Sequence, residues 1–270
     1  MLKIANYGPY TITYHLFPGK CLPRLELLDL HQRLLDMNIE SGRNFKYGIF
    51  DHDKNFAFKK EFYDNIILAT ITNEKQECCG FFYNYLIPSP EGGIPLLHQG
   101  LVVIYNNKGM DLLKIPYLYS NLLAHKFIKE DFFVSNISAV PLIIGTVSEI
   151  FEDVYPSIYC GDSRFPPLYY ADYASLLYNH YVKKYFPDGT IFDKKRFVLK
   201  SPLKEMGFGN SIRELPRHAN WLHNAFSNCW IDLSQGEDIL QIGKMTKKKT
   251  EDYMVEIKNS GFKIQGEEDV

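Results

Sequence analysis

The feature that most constrains this chain is a continuous apolar block, Leu101-Val102-Val103-Ile104. It leads through Tyr105 into Asn106-Asn107-Lys108-Gly109 and then a helical pattern. Consecutive apolar β-formers are expected where both faces of a strand are covered. Residues 96–105 therefore read as a strand buried between two layers. The glycine-bearing loop is its turn into a helix with apolar positions Leu112, Leu113, Leu118, Leu122, Leu123 and Phe127. Such a strand asks for a sheet with helices on both faces.

The surrounding pattern supplies that sheet. Leu27, Leu30, Leu34 and Met37 recur at helical spacing and predict an amphipathic helix over about 23–37. The β-branched run 66–72, the polar turn 73–76 and the aromatic run 78–87 predict a hairpin. A further strand is expected over 131–137, then an apolar helix from Pro141 to Phe151 with proline in its first turn. Pro166-Pro167 introduces a tyrosine-rich helix over 169–185. Beyond Pro187 the chain is broken by prolines and glycines and ends in a charged segment. A boundary near 156–158 is expected on this change of texture.

Composition removes several classes. With 46% apolar and 23% charged residues, 270 residues can bury a core. A net charge of −2 gives no basic footprint for nucleic acid. The five cysteines include no C-x-x-C pair, so no zinc module and no metal is expected. His218 and His223, five residues apart, do not share one helix face, and a satisfied helix end is the expected role. No apolar run is long enough to span a membrane, and the start lacks a cationic segment followed by an apolar one. A cytoplasmic protein is the expectation.

The order helix, hairpin, buried strand, glycine-bearing loop, helix, strand, helix over residues 10–156 resembles the GNAT-type N-acyltransferases. The resemblance is carried by GLVVIYNNKGMDLL at 100–113 and FFVSNISAVPLIIGTVSEIF at 132–151. It implies an α/β fold with a mixed, largely antiparallel sheet flanked by helices. Residues 1–156 would form the acyltransferase core, and 157–270 a helical and irregular C-terminal extension. It also implies transfer of an acyl group to an amine (of a small molecule, amino acid or peptide) by direct attack. The donor would be acyl-CoA or acyl-carrier protein, with no permanently bound cofactor.

In that family a loop reading Q/R-x-x-G-x-G/A presents backbone N–H groups to the donor's pyrophosphate at a helix N-terminus. Here the loop holds Asn106, Asn107, Lys108, Gly109, Met110 and Asp111. It keeps one glycine, and Asp111 puts a carboxylate where a pyrophosphate would lie. The implied donor site comprises these six residues with Val102, Val103, Ile104, Asn136 and Ser138. His98 is the expected general base, on the strength of a side-chain pKa near neutrality. Tyr155 is the expected general acid. The rings of Phe81, Phe82, Tyr83 and Tyr85 suggest a tunnel for a medium or long acyl chain. The departures of the loop leave an alternative, a catalytically silent binding module on the same fold.

Overall fold

The computed structural model describes residues 1–40, 59–89, 93–104, 110–160, 166–201 and 215–266, with the side chains of 110–113 outside the description. The chain opens with a hairpin of β1 (Leu2–Tyr7), which buries Ala5, and β2 (Tyr10–Leu16), which buries the alternate residues Ile12, Tyr14 and Leu16. The short α1 (Pro18–Cys21) leads to α2 (Arg24–Glu40), which buries the expected stripe Leu27, Leu30, Leu34 and Met37. After α3 (Lys60–Tyr63) come β3 (Ile66–Asn73) and β4 (Cys78–Ile87), the predicted hairpin. The constraining block forms β5 (Leu96–Ile104).

Next are α4 (Met110–Ile128), β6 (Phe132–Ser138), α5 (Pro141–Ile150) and β7 (Glu152–Tyr155). Pro116 lies inside α4, and its carbonyl accepts a hydrogen bond from the Tyr14 hydroxyl at 2.9 Å. The tyrosine-rich segment is α6 (Leu168–Leu177), one π turn (178–182) and α7 (Lys183–Tyr185). The chain then forms β8 (Ile191–Asp193), β9 (Val198–Lys200), α8 (Trp221–Trp230), β10 (Glu237–Met245), α9 (Lys247–Asn259) and β11 (Lys263–Ile264).

All strands join one sheet, in the order β11-β1-β2-β3-β4-β5-β6-β10-β9-β8, with β7 also on β10. Every adjacent pair is antiparallel except β5 and β6, which run parallel. The sheet is thus mixed and largely antiparallel, flanked by helices, as the resemblance implied. One face packs on α2, α6 and the π turn through Leu30, Phe81, Tyr83, Phe133, Tyr181 and Ile242. The other packs on α4, α5 and α9 through Leu97, Leu118, Val134, Val147 and Tyr253.

The second half of the chain departs from expectation. β10 lies between β6 and the β7 and β9 strands, and β11 caps the far edge against β1. Residues 157–270 therefore do not form a helical and irregular extension, because four strands of the common sheet come from them. The punctuation after Tyr155 marks a change of loop density, not the end of the sheet. No helix among the described residues is long and apolar enough to cross a membrane.

Candidate functional site

The two parallel strands open into a fork. β5 and β6 pair only over Leu96–Gln99 and Phe133–Asn136, although β5 continues to Ile104 and β6 to Ser138. Beyond the Gln99–Asn136 step, among the described residues, β5 is held only by β4 and β6 only by β10. A bulge opens β5 at this point, since Phe82 faces Val102 while Asn84 faces Gln99. Two helices, α4 and α5, begin after the diverging strand ends. Facing strand edges can hold an extended ligand by main-chain bonds, and helix N-termini suit anionic groups.

The expected donor residues divide at this fork. Val102 and Ile104 face the α4 layer and Val103 the α2 layer. Asn106, Asn107, Lys108 and Gly109 lie outside the described residues, and Met110 and Asp111 are placed only as the start of α4. Asn136 is buried on β6 at the fork's base, with no hydrogen-bond partner for its Oδ1 among the described residues. The Ser138 hydroxyl accepts from the Val140 N–H at 3.0 Å, which shapes the turn into α5.

His98 and Tyr155 occupy one row across the α2 face. Tyr85 pairs with His98, His98 with Ser135, Ser135 with Ile242, and Ile242 with Tyr155. Three strand spacings separate the two candidates, roughly 14 Å, so they do not meet at one reacting centre. His98 is 2% exposed, with Nδ1 3.1 Å from the Ser135 hydroxyl and its ring 4.3 Å from that of Tyr181. Burial holds its pKa down at about 3, against a smaller upward pull from Ser135. The near-neutral pKa that the role of base calls for is therefore absent, because among the described residues no anion compensates the lost solvation. Tyr155 packs edge-on against Phe197 at 5.1 Å, and burial raises its pKa, so it stays protonated at neutral pH.

The aromatic run 81–85 is packed core. Phe62 lies 5.1 Å from Tyr83, and Tyr83 shares a 2.7 Å hydroxyl contact with Tyr181. On the other face Phe82 stacks on Tyr117 at 4.7 Å.

Sequence reasoning missed two groups. The first is Asp238, which alternation along β10 places on the face of Leu240 and Ile242, the face that carries His98. Its neighbour Glu237 is clamped by both terminal nitrogens of Arg196 at 2.9 Å and by the Asp232 N–H. Asp238 has no such partner among the described residues, and burial pushes its carboxyl up to about 7. Nothing but its place in a strand could have revealed it, and β10 itself was not expected.

The second is a row of amides on the opposite face. Asn84 pairs with Gln99, Gln99 with Asn136, and Asn136 with Gln241, across β4, β5, β6 and β10. None is more than 6% exposed. The signal was one polar residue in each of several apolar strands, legible only once the registers are known.

His218 and His223 meet Glu149 of α5. Nε2 of His223 is 3.3 Å from one carboxylate oxygen and Nε2 of His218 3.5 Å from the other. His218 Nδ1 accepts from the Asn220 N–H at 3.1 Å, which leaves the proton of the neutral ring on Nε2, facing Glu149. Burial, then the neighbouring His218, lowers the pKa of His223. A metal ligand needs a free lone pair on Nε2, with the other nitrogen donating outward. Here His218 offers the reverse, and the trio reads as a hydrogen-bonded clasp between α5 and α8.

No protein-family model matches the chain, and no curated protein matches it. Among solved structures it is similar to an aminoglycoside acetyltransferase from an uncultured soil metagenomic sample. The identity is 16% over 42% of this chain and 73% of that one, with a TM-score of 0.30. A score that low carries no functional conclusion.

Proposed function

We propose that the protein is an acyltransferase that passes an acyl group from a thioester to an amine. The observation that supports this reading is the fork, where parallel strands part and each is followed in the chain by a helix. A thioester's extended arm would lie along the edge of β5 beyond Gln99, with its phosphates toward the N-terminus of α4.

The amine attacks the thioester carbonyl, a C–N bond forms, the C–S bond breaks, and the thiolate takes a proton. The incoming ammonium must first lose one. Asp238, half-buried on the face of the sheet that packs on α2 and with a pKa of about 7, suits that task better than His98. The packed rings of 81–85 offer no tunnel, which favours a short acyl group over a medium or long one.

The test is a thermal-shift and turnover series on the full chain with CoA, acetyl-CoA, octanoyl-CoA and palmitoyl-CoA, using a panel of primary amines. Stabilisation by CoA and acetyl-CoA that is lost in Gly109→Trp supports the donor site. Stabilisation that grows with chain length overturns the short-donor reading.

A second reading, a silent binding module, is favoured by the roughly 14 Å between His98 and Tyr155. It predicts CoA binding without turnover of any amine.

A further inference from the structure

The amide row Asn84, Gln99, Asn136 and Gln241 crosses the four central strands at the base of the fork. The Gln99–Asn136 step is the last that joins β5 to β6. Its two ends are anchored. Asn84 Nδ2 donates to the Ser120 hydroxyl at 2.9 Å and to Asn121 Oδ1 at 3.4 Å. Gln241 Nε2 donates to the Ser148 hydroxyl and the Pro156 carbonyl, each at 3.0 Å.

A carbonyl oxygen can only accept, so the Pro156 contact fixes the Gln241 amide with its oxygen on the other side. Asn84 Oδ1, Asn136 Oδ1 and Gln241 Oε1 are all buried without a hydrogen-bond partner among the described residues; so is the donor Asn121 Nδ2, on the amide that Asn84 contacts. An orphaned buried oxygen costs about 1–3 kcal/mol, and native chains leave few of them. Asn121 can supply a donor at Asn84, but Asn136 Oδ1 and Gln241 Oε1, on directly paired residues beside the strand fork, indicate that something else supplies theirs.

We propose that this row is the floor of an acyl-binding site. It selects a short acyl thioester that carries a hydrogen-bond donor, a hydroxyacyl or aminoacyl group, over the plain alkyl counterpart. The inference rests on the acyltransferase reading, which brings the reactive end of the donor to the base of the fork. The unpaired atoms are acceptors, so they call for O–H or N–H groups. An alkyl chain laid against them would leave them unpaired and return nothing.

The experiment is calorimetric titration of the full chain with CoA, butyryl-CoA and 3-hydroxybutyryl-CoA. The expected result is a preference of about tenfold or more for the hydroxyacyl ester, the size of one good hydrogen bond to a buried group. Gln241→Leu, which removes an unpaired oxygen of the row outside the expected donor residues, should bring that ratio to about one while affinity for CoA itself is kept. Asn84→Leu, which removes another of the unpaired oxygens, provides a second variant with the same expectation if the first does not fold. Equal affinity of the wild type for the two esters, with CoA still bound, overturns the row as an acyl site and leaves the acyltransferase reading in place. Failure of all three ligands to bind overturns an acyl-CoA site, and the row's role with it.

Discussion

At the scale of single residues, the fork depends on one glycine. A Cβ added to Gly100 would overlap the Tyr83 ring, and that ring is fixed between Phe62 and Tyr181. Gly100→Ala is therefore expected to destabilise the protein by about 1–3 kcal/mol, read from urea melts, because packed rings do not move aside cheaply. His98 gives a second prediction. Its folded pKa of about 3 lies below the unfolded value near 6.5, so the unfolded state binds the extra proton between those limits. This contribution to stability is full above pH 6.5 and is lost as pH falls toward 3. His98→Gln should flatten that part of the Tm profile, and an unchanged slope would show that His98 is solvated. Asp238 behaves oppositely. Its folded pKa of about 7 exceeds the unfolded one, so it destabilises the fold progressively as pH rises from about 4 to 7. Asp238→Asn should raise Tm at pH 8 and, if Asp238 is the base, lower kcat/KM by about 10²-fold or more.

At the scale of elements, what was legible followed from periodicity. The stripe of α2, the β3–β4 hairpin, β5, β6 and α5 were all visible because their apolar spacing is local. The helix expected over 169–185 is there too, interrupted by a π turn at 178–182. The hairpin β1–β2 was passed over, since its strands mix Thr, Tyr and Asn with few aliphatics. β10, EDILQIGKM, was hidden because Gln241 and Gly243 interrupt its apolar run. Both are there for contacts with α5 and its flanks: Gln241 bonds Ser148, and Gly243 lies against Phe151 and Val154. The candidate site was less legible than the fold. Its position at the end of β5 could be read from Leu101–Gly109, whereas the amide row exists only as a relation between four registers. The Arg196–Glu237 clamp is a similar long-range relation, tying β9 to β10 and, through the Trp230 carbonyl at 2.6 Å, to α8. Arg196→Met should cost about 2 kcal/mol, because it leaves a buried carboxylate with the Asp232 N–H as its remaining partner. A loss below about 0.5 kcal/mol would mark the pair as an ordinary surface one.

At the scale of the whole molecule, the sheet decides how much chain the fork requires. β6 is joined to β5 over four residue pairs but to β10 over seven, from Phe132–Met245 to Ser138–Ile239. The strand that forms one arm of the fork is thus held chiefly by residues near the C-terminal end. The two layers make the same demand. α9 covers α4 through Tyr253 and Ile257, and α6 covers the other face through Tyr170, Ala174 and Leu177. Cutting after residue 156 would remove β10, α6 and α9 together. It would expose the β6 edge and leave Phe133, Val134 and Ile137 against water, the arrangement that invites strand-to-strand aggregation. A fragment of residues 1–156 is therefore expected to aggregate or to lack a cooperative thermal transition, whereas the full chain melts cooperatively. Slow amide exchange would provide the finer reading: β6 should be protected in the full chain as strongly as β3 and β4, since it lies at the same depth in the sheet. A soluble fragment with a sharp transition and a protected β6 would show that the first 156 residues fold alone and that β10 only docks on them.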